Sequence, residues 1–186
     1  MNVMIVSGSR DPEGQTAQVI RAFAEGCLGD GADVETVFLP EMDIERCRQC
    51  DSDGWGQCRR EGTCIIADDL EGLMERMGAA DGVVFATPVY FGDLSESLKA
   101  FLDRVRRTSW RHPEGKNLKG KPAVGICVAG GGGGGSFSCM VNLEKVLTTS
   151  GFGLADQISV RRQNLPMKLE LARVTGQWFA SGKLTP

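Results

Sequence analysis

Short apolar runs alternate with stretches of helical periodicity along the whole chain. Runs over 3–6, 34–39, 83–86, 123–128 and roughly 153–160 read as strands. They are apolar throughout rather than alternating, which suits burial on both faces of a sheet. Between them, apolar residues recur at helical spacing. The first helix, over 17–27, carries Ile20, Phe23, Ala24 and Cys27. The second carries Leu70, Leu73, Met74 and Met77, the third Leu98, Phe101, Leu102 and Val105, and the fourth Met140, Leu143, Val146 and Leu147. A closing helix over about 167–181 carries Leu169, Ala172 and Phe179. Asp93 and Glu96, three residues apart, resemble a capping box at the start of the third helix.

Strict strand–helix alternation implies right-handed crossovers and a parallel sheet covered on both faces. Five strands suit a doubly wound α/β sandwich of three layers with strand order 2-1-3-4-5. Ligands of such sheets bind at the carboxyl edge, where the strand order reverses. The loops after the first, third and fourth strands meet there. All of 1–186 reads as a single domain, with a cysteine-rich insertion over 40–66 and a C-terminal helical segment over 165–186.

Those three loops have unusual sequences. The first, Gly8-Ser9-Arg10-Asp11-Pro12-Glu13-Gly14-Gln15-Thr16, joins a strand to a helix N-terminus. Unpaired amides and the helix dipole make such a turn an anion site. It lacks the lysine of a Walker loop and the G-x-G-x-x-G of a dinucleotide fold. Hydroxyls of Ser7, Ser9 and Thr16, the Gln15 amide and the Arg10 guanidinium suit a terminal phosphomonoester. The second loop, Thr87-Pro88-Val89-Tyr90-Phe91-Gly92-Asp93, offers apolar and aromatic groups to a flat ring system or to a neighbouring subunit. The third is Ala129 followed by Gly130–Gly135. Such a run is either a plain linker or a place where a ring lies directly on backbone amides.

Composition narrows the picture. The chain is 41% hydrophobic and 24% charged with a formal net charge of −3, which argues against nucleic acid as a partner. No apolar run approaches the roughly 20 residues of a membrane span. The N-terminus enters a strand directly, and we expect a cytoplasmic protein. The segment 104–121 holds seven Lys/Arg and one Glu, and reads as a solvated connection or as a contact for nucleotide phosphates. It includes His112, the sole histidine, expected at the surface. Asp68 and Asp69 most simply serve the dipole of the second helix.

The seven cysteines fall into two groups. Cys27, Cys127 and Cys139 lie within apolar patterns and read as core residues. Cys47, Cys50, Cys58 and Cys64 are spaced C-x2-C-x7-C-x5-C. Thiols at such separations hold an iron–sulfur cluster or zinc, or remain free and redox-active. No acid–base or nucleophilic constellation stands out, and no catalytic side chain is named.

Taken together, the first two loops and Leu98-Lys99-Ala100-Phe101-Leu102-Asp103-Arg104 resemble the NADPH-dependent FMN reductase family of flavodoxin-like proteins, and most closely its iron–sulfur flavoprotein branch. The resemblance runs from residue 1 to about 160. It implies FMN, with its phosphate at Ser9, Arg10, Gln15, Thr16 and Ala17. The isoalloxazine is then expected against Pro88, Val89, Tyr90, Phe91 and Gly92 and against Ala129, Gly130, Gly131 and Gly132. It also implies NAD(P)H as co-substrate, a homodimer or homotetramer, and a [4Fe–4S] cluster as a second centre. In that branch the first three cysteines are spaced C-x2-C-x2-C, so the longer spacing here is a departure. The expected activity is a flavin-dependent NAD(P)H oxidoreductase acting on a small-molecule or protein electron acceptor. The alternatives are a flavodoxin-type electron carrier and a thiol-based redox sensor.

Overall fold

A computed structural model describes residues 1–109 and 118–183. His112 and the middle of the basic connection, 110–117, lie outside the described residues. The elements run β1 (Asn2–Ser7), α1 (Gln15–Gly29), β2 (Asp33–Phe38), α2 (Gln57–Glu61), α3 (Leu70–Ala79), β3 (Gly82–Pro88), α4 (Glu96–Thr108), β4 (Pro122–Ala129), α5 (Ser136–Thr149), β5 (Gly153–Arg161) and α6 (Leu165–Ala180). The strands form one parallel sheet in the order β2-β1-β3-β4-β5. This is the flavodoxin-like arrangement.

Successive residues of a strand point to opposite faces, and the core divides accordingly. Met4, Val6, Val83 and Phe85 pack under α3, α4 and α5. Val3, Ile5, Val84, Ala86, Val124 and Ile126 pack under α1 and α6. Phe85 meets Phe152 edge-on at 5.1 Å on one face, and Phe23 meets Phe179 at 5.9 Å on the other. The three inner strands are buried along almost their whole length. The two edge strands are not: Asp33, Glu35 and Thr36 of β2 and Asp156 of β5 are exposed. The expectation of strands buried on both faces therefore holds only for the inner three, because an edge strand has a solvated flank.

Three further expectations change. Helix α1 begins at Gln15 rather than at residue 17, so the first loop is shorter and closer to the helix end. The cap of α4 is Ser95, whose hydroxyl accepts from the Leu98 amide, and not Asp93. Asp93 instead accepts from the Leu94 amide at 2.8 Å and from Asn142 at 3.1 Å. The first and last residues of the basic connection, Arg104 and Lys121, are buried, whereas Lys119 and Gly120 are exposed. Arg104 lies within α4, and Lys121 donates to the Ala80 carbonyl while burial lowers its amine below the ordinary value.

Helices α1 and α6 approach through paired glycines. A Cβ at Gly26 would lie 2.0 Å from the Arg173 carbonyl oxygen, and one at Gly176 would lie 2.1 Å from that of Phe23. Backbone cannot retreat as a flexible side chain can. Gly176→Val is expected to lower stability by about 3 kcal/mol, read as a lower urea midpoint with an unchanged slope. An unchanged midpoint contradicts this packing.

Candidate functional sites

The three edge loops converge on a cleft of about 390 Å³ lined by Ser9, Asp11, Gly14, Gln15, Thr16, Pro88, Val89, Tyr90, Val128, Gly130 and Gly131. The first loop is fixed from below. The Gly8 amide donates to the Ala86 carbonyl at 2.8 Å, and the Ser97 hydroxyl donates to the Gly8 carbonyl at 3.0 Å. A Cβ at Gly8 would lie 2.3 Å from Ser95 Oγ and 2.8 Å from Leu98 Cβ, so only glycine seats the loop on the start of α4. Within the loop, Ser9 Oγ bonds both backbone groups of Asp11 at 3.3 Å, and Asp11 Oδ1 accepts from the Glu13 amide at 2.9 Å. Gly14 caps α1 without a side chain, and no acidic residue occupies the first turn. Its amides and dipole are thus left for an anion. Gln15 Oε1 is buried without a partner, close to the Gly130 backbone.

The second loop leaves β3 through Pro88. The Val89 amide donates to Val128 at 2.9 Å, and Tyr90 and Asp93 exchange backbone bonds at 3.0 and 2.9 Å. Phe91 and Gly92 both have positive φ, 50° and 79°, as a tight turn of this kind requires. The strained turn lifts the Phe91 ring fully into solvent. The glycine run then packs on this turn: a Cβ at Gly135 would lie 2.6 Å from Gly92 Cα. Gly92 and Gly135 therefore serve contact between two loops, where the sequence suggests only close approach by a ligand.

The structure brings together Ser9, Gln15, Thr16, Pro88, Val89, Tyr90, Gly130 and Gly131 around the cleft. It does not bring in every expected residue. Arg10 is exposed and outside the cleft, Ala17 and Ala129 are buried in the core, and Gly132 is exposed at the rim. Phe91 and Gly92 are not among the lining residues, and the Phe91 ring is fully exposed. Asp11, Gly14 and Val128 line the cleft and were missed. Asp11 and Gly14 lie within the quoted first loop, whereas Val128 looks like an ordinary strand residue.

Cys47, Cys50, Cys58 and Cys64 line a second, small pocket together with Trp55, Arg104 and Arg107. The long Cys50-to-Cys58 spacing is absorbed by a compact turn. The Asp51 amide donates to Trp55 and the Gly54 amide to Asp51, each at 2.8 Å, with Gly54 at a φ of 76°. Gly56 then packs on Cys50, where a Cβ would lie 3.0 Å from the Cys50 Cβ. Helix α2, too short to show a period, carries Cys58. Arg107 donates to Gly54 O at 2.8 Å and stacks 4.5 Å from the Trp55 ring centre. Among the described residues, no three ligand side chains gather tightly enough to share one metal ion. Tetrahedral zinc draws its thiolates to about 2.3 Å from a single centre, whereas a cluster accepts cysteines ranged around a larger body.

Asp68 and Asp69 do more than serve a helix dipole. Asp68 forms a bidentate ion pair with Arg104, their side chains 2% and 1% exposed. Asp68 also accepts from the Glu45 amide at 2.9 Å, and Asp69 from the Asp43 amide at 2.8 Å. These bonds tie the start of the cysteine segment to α3 and α4. The other three cysteines are core thiols, as expected. Burial pushes Cys27 up to about 12, and contact with Cys139 together with burial pushes Cys127 up as well.

Burial acts to raise the Asp68 carboxyl, but the Arg104 guanidinium and the Glu45 and Leu70 amides outweigh it and hold the group below the usual carboxylate range. A depressed carboxyl contributes stability that is present above its unfolded value, about 3.9, and lost as pH falls through the folded value. Asp68→Asn is expected to cost about 3–5 kcal/mol at neutral pH, because it leaves Arg104 unpaired. It should also flatten the acid limb of a stability-against-pH curve below about pH 4. An acid limb identical to that of the parent contradicts the pair's role.

The family model for NADPH-dependent FMN reductase matches residues 1–162. An iron–sulfur flavoprotein of Methanocaldococcus jannaschii is 33% identical over 131 residues, covering 70% of this chain and 65% of that protein. The chain thus spans a little under two thirds of the length of such relatives. An NADPH azoreductase of a Bacillus species is 28% identical over 138 residues, covering 73% of this chain and 62% of that one. Among solved structures, an NAD(P)H:quinone oxidoreductase from Methanothermobacter marburgensis superposes with a TM-score of 0.72 at 23% identity, covering 96% of each chain. That last likeness speaks for the fold alone. By its match over most of its length, the chain belongs to the NADPH-dependent FMN reductase family.

Proposed function

We propose that this protein is an FMN-dependent oxidoreductase that takes electrons from a reduced nicotinamide or a donor protein and delivers them to a small oxidised acceptor, of which quinones and azo compounds are the classes named by its relatives. The observation that carries this reading is the cleft, where an uncapped helix end, a proline-stiffened apolar wall and bare glycine backbone meet at one sheet edge. Each part suits a different piece of FMN. The amides at the start of α1, with the Ser9 and Thr16 hydroxyls, would hold the phosphate. The unpartnered Gln15 Oε1 accepts a donor from the ligand, for which a polyol chain qualifies. Pro88, Val89 and Tyr90 give the ring a flat apolar wall, and Gly130 and Gly131 present amides to its polar edge.

When bound, FMN supplies the redox chemistry. The chain orients the ring, shields one face and leaves the other open to a nicotinamide. We assign no acid–base role to the cleft's ionisable side chains, Asp11 and Tyr90; the Asp11 carboxylate accepts from the Glu13 amide.

The four cysteines are proposed to hold an iron–sulfur cluster as a second, one-electron centre. The chemistry of the donor set, four thiols beside two arginines, supports an anionic metal–sulfur body. Phe91, Phe137 and Val141 are exposed apolar side chains, and we assign such residues to contact with a second copy in a homodimer or homotetramer.

FMN titration with parent and Thr16→Val protein tests the cleft. Loss of one hydrogen bond to a charged group, about 1.5 kcal/mol, weakens binding about tenfold. Equal affinities in the two proteins overturn the phosphate assignment. Turnover with NADPH and a quinone alone is expected. Reduction only by a partner protein makes the chain a carrier instead.

A further inference from the structure

The cysteine pocket holds one group left over by the fold. Arg104 is the largest fully buried side chain among the described residues. Its Nη1 donates to the Glu45 carbonyl at 3.0 Å, and both Nη atoms bond the Asp68 carboxylate. Its Nε is buried with no hydrogen-bond partner apart from the adjacent Cys64 sulfur. The guanidinium lines the pocket and lies beside the Cys64 thiol. A buried N–H is costly to leave unpaired, so this one marks a place for an acceptor. The guanidinium is planar, and the forked contact with Asp68 fixes its plane and hence the direction of Nε–H. Its charge is permanent, which suits an anionic acceptor.

We propose that Arg104 is a positioning residue of the cysteine pocket: clamped by Asp68, it reserves Nε–H for a sulfur of Cys64 or of an inorganic cluster, and so presets the pocket for an anionic iron–sulfur centre. This rests on the cluster reading above. Hydrogen bonds to cluster sulfurs stabilise the more negative, reduced state and raise its potential. The same clamp fixes the chain just before Cys47, because Asp68 and Arg104 hold the amide and carbonyl of Glu45. One ion pair thereby orders the entry to the segment and aims a donor into its pocket.

The test compares the parent, Arg104→Lys, and the double variant Arg104→Met with Asp68→Asn. Lysine keeps the charge and loses the fork. The double variant removes both charges, so neither is left buried alone. Each protein is reconstituted anaerobically with iron and sulfide. Iron and acid-labile sulfide per chain, the rate of loss to an iron chelator, and the midpoint potential of the centre are then measured. FMN affinity and melting report the fold. The parent is expected to load. The variants are expected to fold and bind FMN as the parent does, to lose iron about tenfold faster, and to show a lower midpoint potential. A merely structural role for Arg104 leaves the potential in place. If the lysine variant does not fold, the double variant decides. Failure of both to fold makes the pair a strut and overturns the proposal. Variants that load with the parent's potential overturn the proposal alone. A parent that takes up no iron and sulfide overturns the cluster reading and this inference with it.

Discussion

Helix α1 starts with no side chain to satisfy its amides, and it starts at the one edge of the sheet where three loops meet. An exposed helix end of this kind is a standing electrostatic demand; the Ser9 and Thr16 hydroxyls stand beside it, and the Asp11 carboxylate binds the Glu13 amide without capping α1. The loop that carries those hydroxyls keeps its shape because Gly8 is pressed onto α4 and bonded to Ala86 and Ser97. The other two loops are set by each other, through Gly92 and Gly135. The cleft therefore depends on contacts between backbones, which a single added methyl group would disrupt.

Helix α4 joins this cleft to the cysteine pocket. Its start grips the first edge loop through Ser95 and Ser97, and Arg104 and Arg107, roughly 10 and 15 Å further along its axis from Ser97, line the cysteine pocket. One helix thus contacts the first edge loop at one end and the cysteine pocket at the other. The cysteine segment has little apolar core of its own. It is held by Asp68–Arg104, by Asp69–Asp43 and by the Trp55–Arg107 stack. That mode of anchoring is local and polar.

The sheet order and the inner strands were legible because burial on both faces leaves unbroken apolar runs. The edge strands were legible only in position, since Glu35 and Asp156 face solvent and dilute the pattern. Periodicity placed the larger helices, but not α2, which spans Gln57–Glu61 only. The Asp93–Glu96 spacing imitated a capping box, while the working cap, Ser95, sat two residues on. The cleft was readable where its chemistry is local, at Ser9, Gln15, Thr16 and Pro88. It was not readable where long-range packing decides, as with the outward turn of Phe91, the exclusion of Arg10 and the loop-to-loop role of Gly92. The convergence of four cysteines across an irregular spacing depends on the turn at Asp51–Trp55 and on a partner, Arg104, that lies far along the chain.

A crystal of the protein soaked in riboflavin 5′-phosphate tests the central claim most directly. The account predicts phosphate density on the amides that open α1, between Ser9 and Thr16, with the ring lying against Pro88, Val89 and the Gly130 backbone. A cleft that stays empty at saturating ligand, or a flavin bound elsewhere on the molecule, would contradict it.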